Sequence, residues 1–334
     1  MKIAVLGAGS FGTALSIVVS EKANEVMLWS HSKDIVESIA ARNQNSVYMP
    51  EIFLPLNIKA SNDIEKVLTG ADVVLSVIPT QATREVWEKG KKYLPPKCDI
   101  VVGSKGIEQK TLKLVSEVMV DILGEERKSS LFFLSGPSFA RELAQKKPTA
   151  ITIAGFDKEG IERMQKLFFT NYFRVYGTTD VIGVEVGGAL KNIMAIATGI
   201  SDGLEMGSNA RAALITRGLA EMARLGKVMG ADPMTFMGLA GLGDLVLTCT
   251  GDLSRNRSVG IKLARGKKMD EITSTMRMVA EGVASAESAY ELAQSRGVPM
   301  PITEAVYKVL YANINPVEMY DSLMLRELKF EKES

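Results

Sequence analysis

The sequence predicts an α/β fold in its first half joined to a mostly helical second half, and three observations carry that expectation. Short β-rich apolar runs alternate with helical stretches up to about residue 176, the signature of a parallel sheet. From Val181 onward the chain turns rich in Ala, Leu, Met and Gly, with apolar residues at helical spacing. At 334 residues the chain has the length of about two domains, at roughly 150 residues each.

In chain order, the expected strands are Lys2–Leu6, Glu25–Trp29, Ile58–Ala60, Val73–Ile78, Ile100–Gly103, Leu131–Ser135 and Ala150–Ala154, with an eighth near Tyr172–Tyr176 closing the sheet. Residues Gly177 to Asp180 read as the crossing into the second region, which divides the chain into domains of residues 1–178 and 179–334. The uncharged run Ile3 to Ser20 resembles a signal peptide on hydropathy alone. Three glycines interrupt it and its positive region is Lys2 alone, so strand, turn and helix is the better reading.

Composition excludes several function classes. Hydrophobic residues make up 46% and charged residues 24%, ordinary values that argue against disorder or a fibre. With 40 basic and 39 acidic residues the formal charge is +1, so no global field attracts nucleic acid or an anionic membrane, and neither nucleic acid nor membrane insertion is expected. Cys98 and Cys249 cannot build a disulfide framework and sit in no zinc-binding spacing, which suits a reducing cytoplasm and predicts no metal site. His31 is the one histidine, so any histidine-based triad or proton shuttle would have to use it.

The first motif is Gly7-Ala8-Gly9-Ser10-Phe11-Gly12, a G-x-G-x-x-G at a strand-to-helix junction. Gly7 permits the tight turn, Gly9 lets the backbone approach a pyrophosphate, and Gly12 lets the helix pack close to the strand; the helix N-terminus adds N–H donors and a positive dipole end. Residues 1–178 are therefore expected to form a Rossmann-like dinucleotide-binding domain. About twenty residues on, an NAD enzyme places a carboxylate on the ribose hydroxyls, but here Trp29 is followed by Ser30-His31-Ser32-Lys33. That group could surround the extra phosphate of NADP, or Ser32 could simply cap a helix between solvated neighbours. His31 lies too close to the adenosine end to move a proton at the nicotinamide.

If hydride is transferred at a carbinol carbon, a lysine is the natural replacement for the missing histidine. Most lysines sit among other charges, but Lys191 interrupts Val186-Gly187-Gly188-Ala189-Leu190-Lys191-Asn192-Ile193-Met194-Ala195-Ile196-Ala197, where it is the only charge. Positions 187, 188, 194 and 195 share its face, and three of them are Gly or Ala, which leaves room for a ligand. The plainer reading is a lysine that snorkels or meets a core carboxylate. Lys105, in Gly103-Ser104-Lys105-Gly106, follows a strand at the sheet edge where ligands bind in open α/β sheets. Ser135-Gly136-Pro137-Ser138-Phe139-Ala140 is a second loop at that edge, with a helix expected near Pro137. In the helical half, Asp244 in a glycine loop could orient a lysine or a hydroxyl, or only start a turn. Ser254 can cap a helix so that backbone N–H groups and the Arg255 fork suit a phosphate, the alternative being a capped helix with surface arginines.

Seven separated segments together resemble the bacterial NAD(P)-dependent glycerol-3-phosphate dehydrogenases: GAGSFGTAL (Gly7–Leu15), SKGIE (Ser104–Glu108), SGPSFA (Ser135–Ala140), GGALKN (Gly187–Asn192), NARAALITRGLAEM (Asn209–Met222), GLAGLGD (Gly238–Asp244) and SRNR (Ser254–Arg257). The resemblance runs nearly the whole chain. It implies reversible reduction of dihydroxyacetone phosphate to sn-glycerol 3-phosphate with NADP or NAD, in the cytoplasm, supplying phospholipid synthesis. It implies Lys191 as proton donor and acceptor, with Lys105, Gly136, Ser138, Asp244, Ser254, Arg255 and Asn256 around the substrate. Ser10, Phe11, His31, Lys105, Ala140, Arg255, Val279 and Glu281 would contact the cofactor beside Gly7, Gly9 and Gly12. Many relatives carry arginine where this chain has Ser30-His31-Ser32-Lys33, which bears on NADP preference and not on the chemistry. A homodimer is compatible with this reading. Two other readings stay open from the residues: another two-domain NAD(P) dehydrogenase of the 3-hydroxyacid or 6-phosphogluconate type, and a nonenzymatic NADP(H)-binding sensor.

Overall fold

The computed structural model describes residues 1–274, 280–328 and 330–331. The chain forms two compact units: Met1–Ser104 with Val115–Val181, and Lys105–Leu114 with the chain from Ile182 onward. The expected division at 178/179 did not foresee the second segment of this exchange, in which ten residues after a strand end leave the first unit and join the second.

The first unit is built on eight strands: β1 (Lys2–Leu6), β2 (Glu25–Trp29), β3 (Ile58–Ser61), β4 (Val73–Ser76), β5 (Asp99–Val102), β6 (Leu131–Ser135), β7 (Thr149–Gly155) and β8 (Phe173–Thr178). Their order in the sheet is β3-β2-β1-β4-β5-β6-β7-β8, so the first six have the doubly wound order of a Rossmann sheet. Ile3, Ala4, Val5 and Leu6 are fully buried, as a strand covered on both faces requires, and this is why β1 reads as a continuous apolar run. The expectation of a parallel sheet needs one correction: β7 runs antiparallel to β6. The link from Gly136 to Pro148 contains only a five-residue helix, Ala140–Ala144, too little to carry the chain back across the sheet. That helix begins three residues after the expected start at Pro137. In register, Leu6 pairs with Trp29 on one side and with Ser76 on the other, so the loops after β1, β2 and β4 leave the sheet at one edge, where the strand order reverses.

The second unit is helical. Its central helix, Val181–Gly203, is long and apolar enough to cross a membrane by length and composition, but 94% of its most apolar window is buried inside the protein. It is a core element, covered by Met222, Phe236, Leu245, Val259 and Ala286 from surrounding segments. Two glycines set how closely one neighbour approaches: a Cβ on Gly199 would fall 2.1 Å from the carbonyl oxygen of Arg257, and one on Gly260 would fall 2.2 Å from that of Ile196. The helices Val181–Gly203 and Arg255–Ala264 therefore cross backbone against backbone.

Residues Lys105–Leu114 are fastened to this unit by Ile107 and Leu114, both in its core, and by Gln109 Nε2, which donates to Glu287 Oε2 at 2.7 Å. A buried carboxylate performs a similar task elsewhere. Glu221 on the helix Gly207–Met229 accepts from the N–H groups of Ile302 (2.6 Å) and Thr303 (3.2 Å) and from the Thr303 hydroxyl (3.1 Å). It caps the helix Pro301–Tyr311, whose first residue has no N–H to offer, and burial pushes its carboxyl up to about 7 despite these donors.

The helix crossing is directly testable. Gly→Ala within an unobstructed helix gains up to about 1 kcal/mol, whereas a clash with fixed backbone costs about 3 kcal/mol, so overpacking should outweigh propensity. Gly199→Ala is expected to lower stability by about 2 kcal/mol or more in urea unfolding, and a stabilised variant would contradict the close crossing.

Candidate active site

In the first unit the glycine motif is built as its spacing required. The helix Ser10–Ser20 follows β1 directly, with Gly9 at its N-cap and no side chain capping it, so its first-turn N–H groups have no competing side chain from that residue. Gly7 is in the left-handed region at φ 111°, and a Cβ there would lie 2.5 Å from the Val77 carbonyl oxygen; a Cβ on Gly12 would lie 1.9 Å from the Gly7 oxygen. Gly9 is the opposite case, since a Cβ on it would meet nothing within 4 Å. A closed turn at Gly7 and Gly12 and open space at Gly9, before a helix start, suit an anionic pyrophosphate, and in this respect the residues fit a dinucleotide. Ser10 and Phe11 open the helix, and the Phe11 ring lies against Gly103 at the end of β5.

At the end of β2, His31 and Lys33 are exposed, while Ser30 is buried and its hydroxyl oxygen accepts from the Ser32 N–H at 3.2 Å. Ser32 occupies the N-cap position of the helix Lys33–Arg42, but its side chain makes no capping bond. Gly136 directly follows β6, and Ser138 Oγ donates to the Gly136 carbonyl at 3.0 Å; Ala140 begins the short helix beyond.

The second unit holds a buried cluster of charge. Lys191, in the middle of the central helix, ion-pairs with Asp244 Oδ1, and its Nζ also donates to Thr248 Oγ1 at 3.1 Å. Lys105 reaches the other carboxylate oxygen, Asp244 Oδ2, at 2.7 Å. Asp244 is 1% exposed, so one carboxylate balances two ammonium groups almost out of water. The π-helical turn Leu239–Gly243 delivers Asp244 as the first residue of the helix Asp244–Thr250, and Thr248, one turn later, faces the same way. Thr248 donates its hydroxyl to the Asp244 backbone carbonyl at 2.6 Å, which leaves its oxygen to accept from Lys191.

These contacts set the acidities. Burial pulls the Lys191 ammonium down to about 8; Asp244 opposes that shift and the nearby Lys105 charge reinforces it. Burial alone would raise the Asp244 carboxyl, but the Lys105 and Lys191 charges outweigh it and hold the group below the usual carboxylate range.

Beside this cluster, Ser254 caps the helix Arg255–Ala264, its Oγ accepting from the Arg257 N–H at 3.3 Å. Arg255 is exposed at the start of that helix. Asn256 is buried: its Nδ2 donates to Asn192 Oδ1 at 2.9 Å and its Oδ1 accepts from the Gly282 N–H at 3.1 Å, tying the capped helix to the residue after Lys191 and to the helix Glu281–Ser295. Glu281 opens that last helix, and Val279 lies outside the described residues.

Lys105, Lys191 and Asp244 are thus brought together, as are Ser254, Arg255 and Asn256 along one helix start. At one of the positions expected to leave room beside Lys191, the space is taken by protein. A Cβ on Gly187 would fall 2.5 Å from the Ala240 carbonyl oxygen, so that glycine admits the π-helical turn and not a ligand. Arg257 is engaged within the protein: its Nε donates to Asp202 Oδ2 at 2.7 Å, while Arg211 holds Asp202 Oδ1 at 2.7 Å. Thr248 and Asn192 received no role from the sequence, although the i, i+4 spacing from Asp244 to Thr248 was a usable signal. Among the described residues no group of three or more His, Cys, Asp or Glu could hold a metal ion.

Comparison with known proteins bears on what this arrangement serves. Residues 2–160 match the family model described as NAD-dependent glycerol-3-phosphate dehydrogenase N-terminus, and residues 180–321 match that of the C-terminus. A glycerol-3-phosphate dehydrogenase [NAD(P)+] of Citrifermentans bemidjiense is 53% identical over 330 residues, 99% of this chain and 98% of that protein. One from Leptospira biflexa is 49% identical over 331 residues, 99% of each. Among solved structures, the glycerol-3-phosphate dehydrogenase of Coxiella burnetii superposes with a TM-score of 0.93 at 41% identity, covering 97% of this chain and 99% of that one. The chain belongs to the NAD-dependent glycerol-3-phosphate dehydrogenase family.

Proposed function

We propose that this chain reversibly reduces dihydroxyacetone phosphate to sn-glycerol 3-phosphate at the expense of NADPH or NADH, with Lys191 moving the proton. The observation that carries this reading is the buried Lys191–Asp244–Lys105 cluster, in which an ammonium is held near neutral acidity by burial and by a second cation. A general acid works best when its acidity lies close to the working pH, and Lys191 meets that condition without histidine. The glycine loop and helix start of residues 7–12 hold the dinucleotide, which when bound supplies the hydride.

In the reduction, Lys191 Nζ gives its proton to the oxygen of the substrate carbonyl as that oxygen gains negative charge, and becomes a neutral amine. Lys105 remains a cation and stabilises the same oxygen electrostatically. Asp244 keeps both amines aligned and, held ionised, does not compete for the proton. Thr248 fixes the Lys191 nitrogen from a further side. The substrate phosphate suits the start of the helix Arg255–Ala264, where the Arg255 fork and the positive dipole end coincide and where Ser254 and Asn256 hold the first turn in place. Gly136 and Ser138 complete the proposed substrate contacts, and Ala140 and Glu281 the cofactor contacts. With no carboxylate from Ser30 to Lys33 to meet ribose hydroxyls, NADPH is favoured over NADH. The reading includes a cytoplasmic location and allows a homodimer.

The decisive measurement follows the oxidation of each reduced nicotinamide in the presence of dihydroxyacetone phosphate. Lys191→Ala should lower turnover by about 10²- to 10⁴-fold or more, and near-normal turnover would remove its role. Because reduction needs the protonated amine, its rate should fall as pH rises through about 8 while the reverse oxidation rises. Lys105→Met, which removes a charge that pulls Lys191 down, should move that limb to higher pH. Asp244→Asn leaves two buried ammonium groups without a counter-charge and should cost about 3–5 kcal/mol in urea unfolding. Arg255→Ala should raise KM for dihydroxyacetone phosphate far more than for unphosphorylated dihydroxyacetone; equal effects would count against a phosphate contact.

A further inference from the structure

The segment after the helix Lys33–Arg42 contains a side chain that no part of the chemistry above uses. Asn45 is fully buried beneath the glycine loop. Its one amide nitrogen donates to two acceptors in the motif, the Ala8 carbonyl at 2.9 Å and Thr13 Oγ1 at 2.9 Å, while its Oδ1 accepts from the Tyr48 N–H at 3.2 Å. The Asn45 backbone carbonyl accepts from Met49 N–H at 2.8 Å, so the segment that carries the amide is itself held at both ends of a short turn. A polar side chain buried this deeply with its donors and acceptor all engaged is an anchor, since leaving those groups unpaired would be costly.

The consequence for the loop follows from the planarity of the peptide bond. In a trans peptide the C=O and the next N–H point in opposite directions. With the Ala8 carbonyl drawn down onto Asn45, the Gly9 N–H points the opposite way within that peptide plane, away from Asn45, and a Cβ built on Gly9 would meet nothing within 4 Å. The second bond, to Thr13, ties the same amide to the first turn of the helix, where Thr13 N–H already donates to the Gly9 carbonyl at 2.9 Å. We infer that Asn45 is a positioning residue for cofactor binding: its carboxamide locks the Ala8–Gly9 peptide against the helix start so that the Gly9 N–H is preset toward the open side of the loop to receive a pyrophosphate. The inference rests on the dinucleotide reading of that loop.

The test is direct binding, read by the fluorescence of NADPH titrated with the whole protein in the absence of substrate. Asn45→Asp keeps the size and the acceptor for Tyr48 but removes both donors, and it is expected to raise the Kd for NADPH by about tenfold or more, the loss of roughly one well-placed hydrogen bond and the orientation it fixes. Binding of adenosine 2′-phosphate, which has no pyrophosphate, should stay within about twofold of the wild type. Equal losses for both ligands would mean that the segment merely loosened, and an NADPH Kd within about twofold of wild type would mean that the amide does nothing; either overturns the inference. If Asn45→Asp does not fold, Thr13→Val removes one of the two acceptors and leaves Asn45 in place, with about threefold weaker NADPH binding expected and unchanged binding overturning the claim. Wild-type protein that bound neither NADPH nor NADH would overturn the dinucleotide reading, and this inference with it.

Discussion

The second unit depends on one carboxylate placed between two ammonium groups. Asp244 is almost wholly out of water, and an isolated charge there would be prohibitively costly. Two lysines and a threonine satisfy it, and burial, opposed by Asp244 and reinforced by the second positive charge of Lys105, keeps Lys191 close to losing its proton. With Lys105 removed the Lys191 ammonium would be depressed less, although burial would still pull it down.

Such a cluster needs rigid support, because its members come from three distant parts of the chain. The central helix supplies Lys191, a π-helical turn supplies Asp244, and an excursion from the edge of the sheet supplies Lys105. Glycine makes the first two compatible. Gly187 lets the turn before Asp244 lie against the central helix, and the Gly199–Gly260 crossing brings the Arg255–Ala264 helix against the same core element. The excursion is anchored by Ile107, Leu114 and the Gln109–Glu287 bond, so Lys105 reaches Asp244 from a fixed base.

Much of the candidate site was legible from local pattern. The glycine motif announced its own geometry, because each glycine answers a steric demand that the structure repeats at Gly7 and Gly12. Lys191 stood out as the one charge in the apolar stretch Val186–Ala197, a conflict that calls for a partner. The partner itself could not be read: Asp244 in a glycine loop was equally consistent with a turn, and nothing in sequence spacing joins positions 105, 191 and 244. The glycines around Lys191 were read as room for a ligand, although Gly187 makes room for protein. Arg257 and Glu221 were missed in the same way, since each is defined by a partner far along the chain, Asp202 in one case and the start of a distant helix in the other.

By itself the sequence determined the strand and helix succession, the tight glycine turn after β1 and the presence of a lysine that had to be paired or used, because these follow from periodicity, steric limits on backbone and the cost of desolvating a charge over a few neighbouring residues. Tertiary structure alone decided that β7 reverses direction, that Lys105–Leu114 crosses to the helical unit, and that Asp244 collects both lysines. Those outcomes depend on link lengths, on which helices can touch backbone to backbone and on the balance of charge in a shared low-dielectric space, none of which is a property of any local stretch of chain.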